Sequence, residues 1–523
     1  MTFLTIISPT DSGIFSFKGA VFWFAAFSAL AAICAVCSVI YNVFFHPLKH
    51  IPGPFFARAC GIPYALHMYD GSMARWVKES HEKFGDAVRL TPNEVSFISG
   101  ETAWQGIYGF RVGKNKSAGH YAKDKTWYLQ PANRAASIVL ADEAGHSRMR
   151  RNLSHAFSEK ALREQESLIQ YYVDLLVQRM SEHAAGGKDM DIMSWYNFAT
   201  FDIIADLTFG EPLYCLRDSI KHSWVSITFK AITATGFHAA RNKHFIFRYA
   251  NTLRGLFQDN SSAMRARLEF TQRAHDQVSK RLAKIDSEKE GERADFFTHI
   301  VNNQEKEAAK LTRDEMNSNA VTFLFAGSET TATTLSGATH LLLRNPSAYS
   351  KLAAEIRSHF SSADQITMAE VNKLEYLIAV FQETLRYYPP APTGFPRVVP
   401  TGGDTISGHF IPGGTSVYCS QHAMYHSERN YKDPELFVPE RWLGEERYKD
   451  DNRSTWNPFS FGPRNCLGKN LAYAEMRLIL AKVIFAFDLE LVEKERDWMG
   501  EQKVFTLWDK GALMVKVKPV QRP

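Results

Sequence analysis

The chain has 523 residues, a net charge of +5 and 13% aromatic residues, with Phe the commonest of them. So mild a charge does not suggest nucleic acid, and the aromatic content suffices for a large core and an apolar pocket. Length alone suggests about three domains, yet no Gly/Ser-rich linker divides the chain, and six cysteines (Cys34, Cys37, Cys60, Cys215, Cys419, Cys466) show neither disulfide nor zinc spacing, which fits a reducing compartment.

Ala20 to Phe45 carries no charged residue and is rich in Ala, Val, Phe, Ile and Leu. As a helix it spans about 39 Å, beyond the roughly 30 Å of bilayer hydrocarbon, and it exceeds the about 7–15 apolar residues of a cleaved signal. An uncleaved anchor is expected. Cys34-x-x-Cys37 falls inside it, which argues against a redox motif. His46, Lys49, His50 and Arg58 follow the span, against Asp11 and Lys18 before it. That bias places the carboxy-terminal bulk in the cytosol, where sequons at Asn115, Asn152, Asn260 and Asn452 stay unglycosylated. Ile51-Pro52-Gly53-Pro54 then forms a stiff bend that no helix continues through.

Residues 85–98 alternate as short strands do. His146-Ser-Arg-Met-Arg150 places His146 and Arg150 on one helical face. Glu159–Met180 reads as an amphipathic helix, and the charged stretch Lys284–Asp295 as an exposed loop. Thr312-x-x-Glu315 is a capping box and Asn345-Pro346 a stop, with no proline between; the pattern predicts one helix of about 50 Å. Its middle, Ala326 to Thr334, is small and hydroxylated, and Gly327 costs about 1 kcal/mol relative to Ala. Room for a ligand would explain that loss; so would a tight helix crossing, with Thr hydroxyls bonding back to carbonyls.

A second capping box, Thr367-x-x-Glu370, opens a helical region expected to run to Tyr388, before Pro389-Pro390. Glu383 and Arg386 share a face of it. Residues 397–420 read as short strands, for example Thr405-Ile-Ser-Gly-His-Phe-Ile-Pro-Gly-Gly. Residues 459–468 then read Phe-Ser-Phe-Gly-Pro-Arg-Asn-Cys-Leu-Gly. A lone cysteine in a short apolar loop, with Arg464 beside it, suits a thiolate bound to iron. Gly462 and Gly468 permit close approach to a flat ligand, and N–H groups freed in such a turn favour the charged sulfur. A buried structural cysteine is the bland alternative. Helix Leu471–Phe487 follows. The whole reads as mainly helical with a minor sheet.

The cysteine loop resembles the haem-binding signature of the cytochrome P-450 family, and three other segments agree in the family's order. Ala326-Gly327-Ser328-Glu329-Thr330-Thr331 resembles its oxygen-activation segment, Glu383-Thr384-Leu385-Arg386 its E-x-x-R pair, and Pro439-Glu440-Arg441-Trp442 the segment that locks that pair. E-x-x-R discriminates little by itself, since Glu290–Arg293 and Glu493–Arg496 match it too. The resemblance implies an α+β fold, mainly α with minor β. Residues 1–45 would hold the anchor (helix about 20–45), residues 46–60 a Pro/Gly hinge, and residues 61–523 one catalytic domain.

It further implies haem b, with Cys466 as iron ligand and Phe459, Gly462 and Gly468 shaping the loop. Arg464, Arg397, Arg150 and His146 would meet the haem carboxylates; many relatives have Trp where His146 stands. Thr330 would hydrogen-bond the distal oxygen and Glu329 feed it protons, while Glu383, Arg386 and Arg441 serve folding. Phe325, Ala326, Gly394 and Phe395 are the implied substrate contacts, with the segments around 105–135 and 205–260 as the pocket's roof. The implied function is insertion of one dioxygen atom into a hydrophobic small molecule. Electrons would come from NADPH through a P-450 reductase, with cytochrome b5 as a second donor, docking near Arg148, Arg151, Lys469 and Arg477. The wording around His46-Pro-Leu-Lys-His-Ile-Pro-Gly-Pro is similar to filamentous-fungal members that oxidise polyketides, terpenoids or alkaloids at the endoplasmic reticulum. Oxidative coupling, isomerisation or dehydration on the same scaffold, or a haem-thiolate sensor or electron carrier, are the alternatives.

Overall fold

The computed structural model describes residues 17–111, 119–128, 135–219, 236, 238–243, 261–287, 295–303 and 310–521. Asn115, Asn260, Asp11, Glu290–Arg293 and most of the expected roof lie outside them. Helix Phe17–Ile40 runs on into a π-helical turn, Tyr41–Phe45. This is the one helix among the described residues long and apolar enough to cross a membrane.

The bend after it is anchored rather than loose. Arg89 is fully buried and donates to the Asn42 carbonyl at 2.9 Å and the Pro92 carbonyl at 2.7 Å. Its own N–H donates to the Pro52 carbonyl at 2.8 Å, and the Asn42 side chain donates to the Ala59 carbonyl at 2.8 Å. A Cβ on Gly53 would fall 2.2 Å from the Arg89 carbonyl oxygen, so only glycine allows this approach.

Four strands from the expected regions, joined by the unexpected Ala122–Lys123, form a five-stranded sheet in the order Ala87–Thr91, Glu94–Phe97, Ser416–Cys419, Arg397–Val398, Ala122–Lys123. Glu94–Phe97 and Ser416–Cys419 run parallel and the other pairs antiparallel. This register sets Lys123 directly across from Arg397. Asp404–Ile406 and His409–Ile411 make a separate hairpin.

The long helix is Arg313–Arg344, with both halves of the Thr312/Glu315 capping box formed. It lies along helix Ile192–Phe209, which is buried on almost every side. A Cβ on Gly327 would meet Ile204 Cδ1 at 2.7 Å. The missing side chain therefore serves helix crossing, not ligand room. A Cβ on Gly337 would meet the Tyr388 ring at 2.3 Å.

Two expected helices and one expected loop are divided differently. Glu159–Met180 breaks at Gln165 into Glu159–Glu164 and Glu166–Ala185. The Thr367 cap is present, but its helix ends at Val371 and a new one runs from Glu375 to Tyr387. The expected loop from Lys284 begins as the end of helix Ser261–Ser287, and Asp295 is buried, capping Thr298 N–H at 2.8 Å; residues 288–294 lie outside the description.

Gly337→Ala should lower the thermal midpoint markedly, by an overpacking cost of about 1–3 kcal/mol. Gly327→Ala should lower it less, because the end of Ile204 can swing aside whereas an aromatic ring stacked on Trp508 cannot. Equal midpoints for the two variants would contradict this.

Candidate active site

Asn457 N–H donates to the Tyr425 hydroxyl at 3.0 Å, and Cys466 N–H donates to the Phe459 carbonyl at 2.8 Å, closing the cysteine loop on itself. Gly462 has φ +73°, and a Cβ there would lie 2.0 Å from the Tyr108 carbonyl oxygen. Gly468 uses ordinary backbone angles, and its missing Cβ would meet nothing nearer than Phe157 at 4.0 Å. Of the two glycines, only Gly462 is demanded by the chain itself. The Phe459 ring packs on Tyr473 at 4.9 Å.

Cys466 retains open surface although it lies deep among protein atoms; that surface belongs to an interior cleft. Burial pushes its thiol up, and the Gly468 N–H, Arg150 and Lys469 pull back without winning. The freed N–H groups expected to favour thiolate are thus outweighed in the protein alone. Arg150 reaches the loop directly, donating to the Asn465 carbonyl at 2.7 Å and to its side-chain oxygen at 2.6 Å. That contact steadies the loop, whereas the sequence suggested a carboxylate contact.

A cluster of cations stands nearby. Arg464 donates to the Ala141 carbonyl at 2.9 Å. Arg397 is buried over the Tyr108 ring, and its Nε has no hydrogen-bond partner among the described residues. Lys123, unnoticed in the sequence, lies opposite Arg397 with its ammonium 4.6 Å from the Tyr128 ring centre. Burial, then Arg397 and Arg464, hold Lys123 well below the usual lysine range. Burial, then Arg397, brings Arg464 down to about 10. Burial and these same cations bring His146 to about 3, so it is neutral. Like charges this close repel unless an anion joins them, and none of Lys123, Arg397 and Arg464 makes an ion pair among the described residues. A ligand bearing two carboxylates fits this set, and the space beside Gly468 fits a flat body. The residues present therefore fit haem.

In the long helix, most residues from Phe323 to Leu342 are buried, but Ala326 is exposed and Thr330 half-buried. Four residues apart, they form an open stripe on a largely buried helix. Thr330 donates to the Ala326 carbonyl at 2.8 Å, and Ser328 and Thr334 bond back likewise. Glu329 points elsewhere: it is fully buried in an ion pair with Lys510, which also bonds Thr333 Oγ1 at 2.7 Å. No sequence pattern pointed to Lys510.

Phe325 packs with Phe505, Leu507 and Ala391, and Phe395 lies edge-on to Trp127 at 6.3 Å. Gly394 is not a contact surface; a Cβ there would strike Tyr418 at 2.2 Å, so it is packed against the sheet. Arg148, expected to help dock a partner, forks onto Glu315 at 2.5 and 2.9 Å, so its charge is partly met within the chain. Arg477 likewise donates to Asn372 at 2.6 Å.

The E-x-x-R pair is fully buried. Arg386 forks onto Glu383 at 2.8 and 2.9 Å and donates to the carbonyls of Tyr425, Pro434 and Leu436. Glu383 also receives the Trp442 indole and Val438 N–H, each at 2.9 Å, and Arg441 at 3.4 Å. Arg441 in turn pairs with Asp451, another residue the sequence did not mark. Burial alone would push Glu383 up, but Arg386 and these bonds hold it below its ordinary value. By contrast, Glu493–Arg496 is a partly exposed surface pair.

A family model described as "Cytochrome P450" matches residues 52–517. The protein named cytochrome P450 monooxygenase traB, from Penicillium crustosum, is 48% identical, over 92% of this chain and 94% of its own. Cytochrome P450 monooxygenase lcsI, from Purpureocillium lilacinum, is 46% identical over 92% of both chains. Cytochrome P450 monooxygenase aclL, from Aspergillus oryzae, is 41% identical over 92% of this chain and 95% of its own.

Glu383→Ala should cost at least about 3–5 kcal/mol, because it strands two buried guanidinium groups. Glu493→Ala should change stability by less than about 1 kcal/mol, as for an exposed pair. Soluble yield and urea midpoints check both, and a soluble, wild-type-like Glu383→Ala protein would refute the assignment.

Proposed function

The chain belongs to the cytochrome P450 family of haem oxidoreductases, and from that premise we propose that Cys466 is the iron ligand of a haem b whose carboxylates are held by Arg464, Arg397, Lys123 and neutral His146. The observation that carries this reading is a set of largely buried cations, Lys123, Arg397 and Arg464, that make no ion pair among the described residues and stand close to a cysteine opening on an interior cleft. Bound there, haem with a thiolate ligand supplies dioxygen activation, since the thiolate donates electron density that promotes O–O cleavage.

The residues around it have separable tasks. Arg150 steadies the loop through Asn465, and Gly462 lets it pass Tyr108. The Thr330 hydroxyl, whose own proton is donated to the Ala326 carbonyl, would offer its lone pairs to a proton-bearing water in the cleft. Glu329 holds charge one residue away. Phe325 packs with Phe505, Leu507 and Ala391, and this apolar patch, together with Ala326 and Phe395, would keep water from a hydrophobic substrate.

We infer that the substrate is a fungal secondary-metabolite intermediate of polyketide, terpenoid or alkaloid type, hydroxylated or epoxidised with electrons from NADPH. A P450 reductase, or cytochrome b5, would approach the face of Arg151 and Lys469. The apolar helix of Gly19–Phe45 fits a single-pass anchor in the endoplasmic reticulum, with the catalytic domain in the cytosol.

Cys466→Ala should lose the thiolate-type carbon monoxide difference band of the reduced protein; its persistence would sink the ligand assignment. Product formed from lipophilic candidates should carry one atom from labelled dioxygen, whereas coupling, isomerisation or dehydration leaves it unlabelled. Thr330→Ala should retain haem but lower product per NADPH by on the order of 10²-fold, as loss of a proton-handling group does, with peroxide released instead.

A further inference from the structure

The carboxy-terminal loop grips the long helix at two successive turns. Lys503–Val504 pairs antiparallel with Trp508–Asp509, and between them Phe505 N–H donates to the Leu507 carbonyl at 3.0 Å. Thr506, at the tip, has φ +98°, which a β-branched residue adopts only under constraint. Phe505 and Leu507 are buried against Phe325. Immediately beyond, Lys510 is buried with Glu329 and Thr333. Phe325 and Glu329 stand four residues apart on one helical face, while Ala326 and Thr330 form the stripe beside it. One loop thus holds the face adjoining the cleft at both an apolar and a charged contact.

On the role proposed above for Thr330, we infer that Lys510 is a positioning residue for oxygen activation: through Glu329 it fixes the rotation of the Thr330 turn and ties it to the Phe505–Leu507 wall. Lys510 needs to touch neither substrate nor cofactor for this. A carboxylate so enclosed would turn neutral without a cation beside it.

Other titratable groups facing this helix are held by burial or by partners of their own. Tyr388 feels Glu329 but burial holds it well above its ordinary value. Glu475, beside Thr331 on helix Lys469–Ala486, is pushed well above the carboxylate range by burial. From helix Ile192–Phe209, Asp202 accepts from Cys215 and Leu216 N–H, and Asp206 accepts from Tyr172. Arg281 of helix Ser261–Ser287 is paired with Asp295.

The test uses haem-loaded enzyme, a P450 reductase, NADPH and dioxygen, with no organic substrate. Two reactions compete: O2 + NADPH + H+ → H2O2 + NADP+, and O2 + 2 NADPH + 2 H+ → 2 H2O + 2 NADP+. The second breaks the O–O bond and needs protons at the distal oxygen, so peroxide per NADPH reports their delivery. In the wild type and in Lys510→Arg, this yield should be flat between about pH 6.5 and 9, because the ion pair is intact. In Lys510→Met it should change by about threefold or more across that range, as the stranded Glu329 titrates. Lys510→Met/Glu329→Gln should be flat again.

Independently of turnover, the infrared spectrum of Lys510→Met should gain a carboxylic-acid band that the double variant lacks. A flat Lys510→Met profile, or a missing band, overturns the inference. If Lys510→Met takes up no haem, uptake by the double variant supports the pairing, and its failure there also overturns it. Thr330→Ala with wild-type peroxide yield would instead refute the reading of Thr330, leaving the band to judge the pair.

Discussion

Two arginines and two carboxylates buried together at Glu383, Arg386, Arg441 and Asp451 are the constraint on which the site depends. Charges removed from water are tolerated only when every donor and lone pair is met, and here the partners come from several segments distant in sequence. Arg386 fixes the Tyr425 carbonyl; the Tyr425 hydroxyl receives Asn457 N–H; and from Asn457 the chain enters the cysteine loop. Arg441 holds the same approach from its other side, its carbonyl accepting from Arg453 at 2.7 Å while Trp442 packs on Trp456. The position of Cys466 is thus set by a network that performs no chemistry.

With the loop fixed, the cleft is free to be locally unfavourable. Lys123 and Arg464 are depressed by burial and by Arg397 beside them, and Cys466 is raised. Each shift says that the protein alone does not satisfy the group in its charged form. On the reading proposed above, two anionic groups among the cations and a metal cation at the sulfur would resolve these shifts together. Preorganised charge of this kind needs no rearrangement when its partner arrives, and a rigid surrounding core is what keeps like charges from separating.

The sequence revealed those parts of the site whose chemistry is local. The Thr312 capping box, the Asn345-Pro346 stop and the glycines around Cys466 are patterns within a few residues, and the long helix and the cysteine loop stand as read from them. What it hid depends on tertiary approach. Lys123 matters because a strand register sets it across from Arg397, and Asp451 because Arg441 turns toward it. Arg148 looked like a docking cation until Glu315 was seen beneath it. Gly327 and Gly394 looked like space for a ligand, but Ile204 and Tyr418 fill that space. A small residue in a sequence marks close approach without saying what approaches.

Glu329 shows the limit most sharply. Neighbours on a helix point about 100° apart, so the carboxylate beside Lys510 and the hydroxyl of Thr330 address different surroundings. Direct proton transfer from Glu329 into the cleft and its present pairing with Lys510 are therefore exclusive arrangements. Thr330, for its part, already donates to the Ala326 carbonyl, which leaves its oxygen as an acceptor. In this arrangement the turn orders a proton-bearing water better than it supplies a proton, and Glu329 contributes charge and position. A proton source would then be solvent entering along the stripe of Ala326 and Thr330, the part of the long helix that the core leaves open.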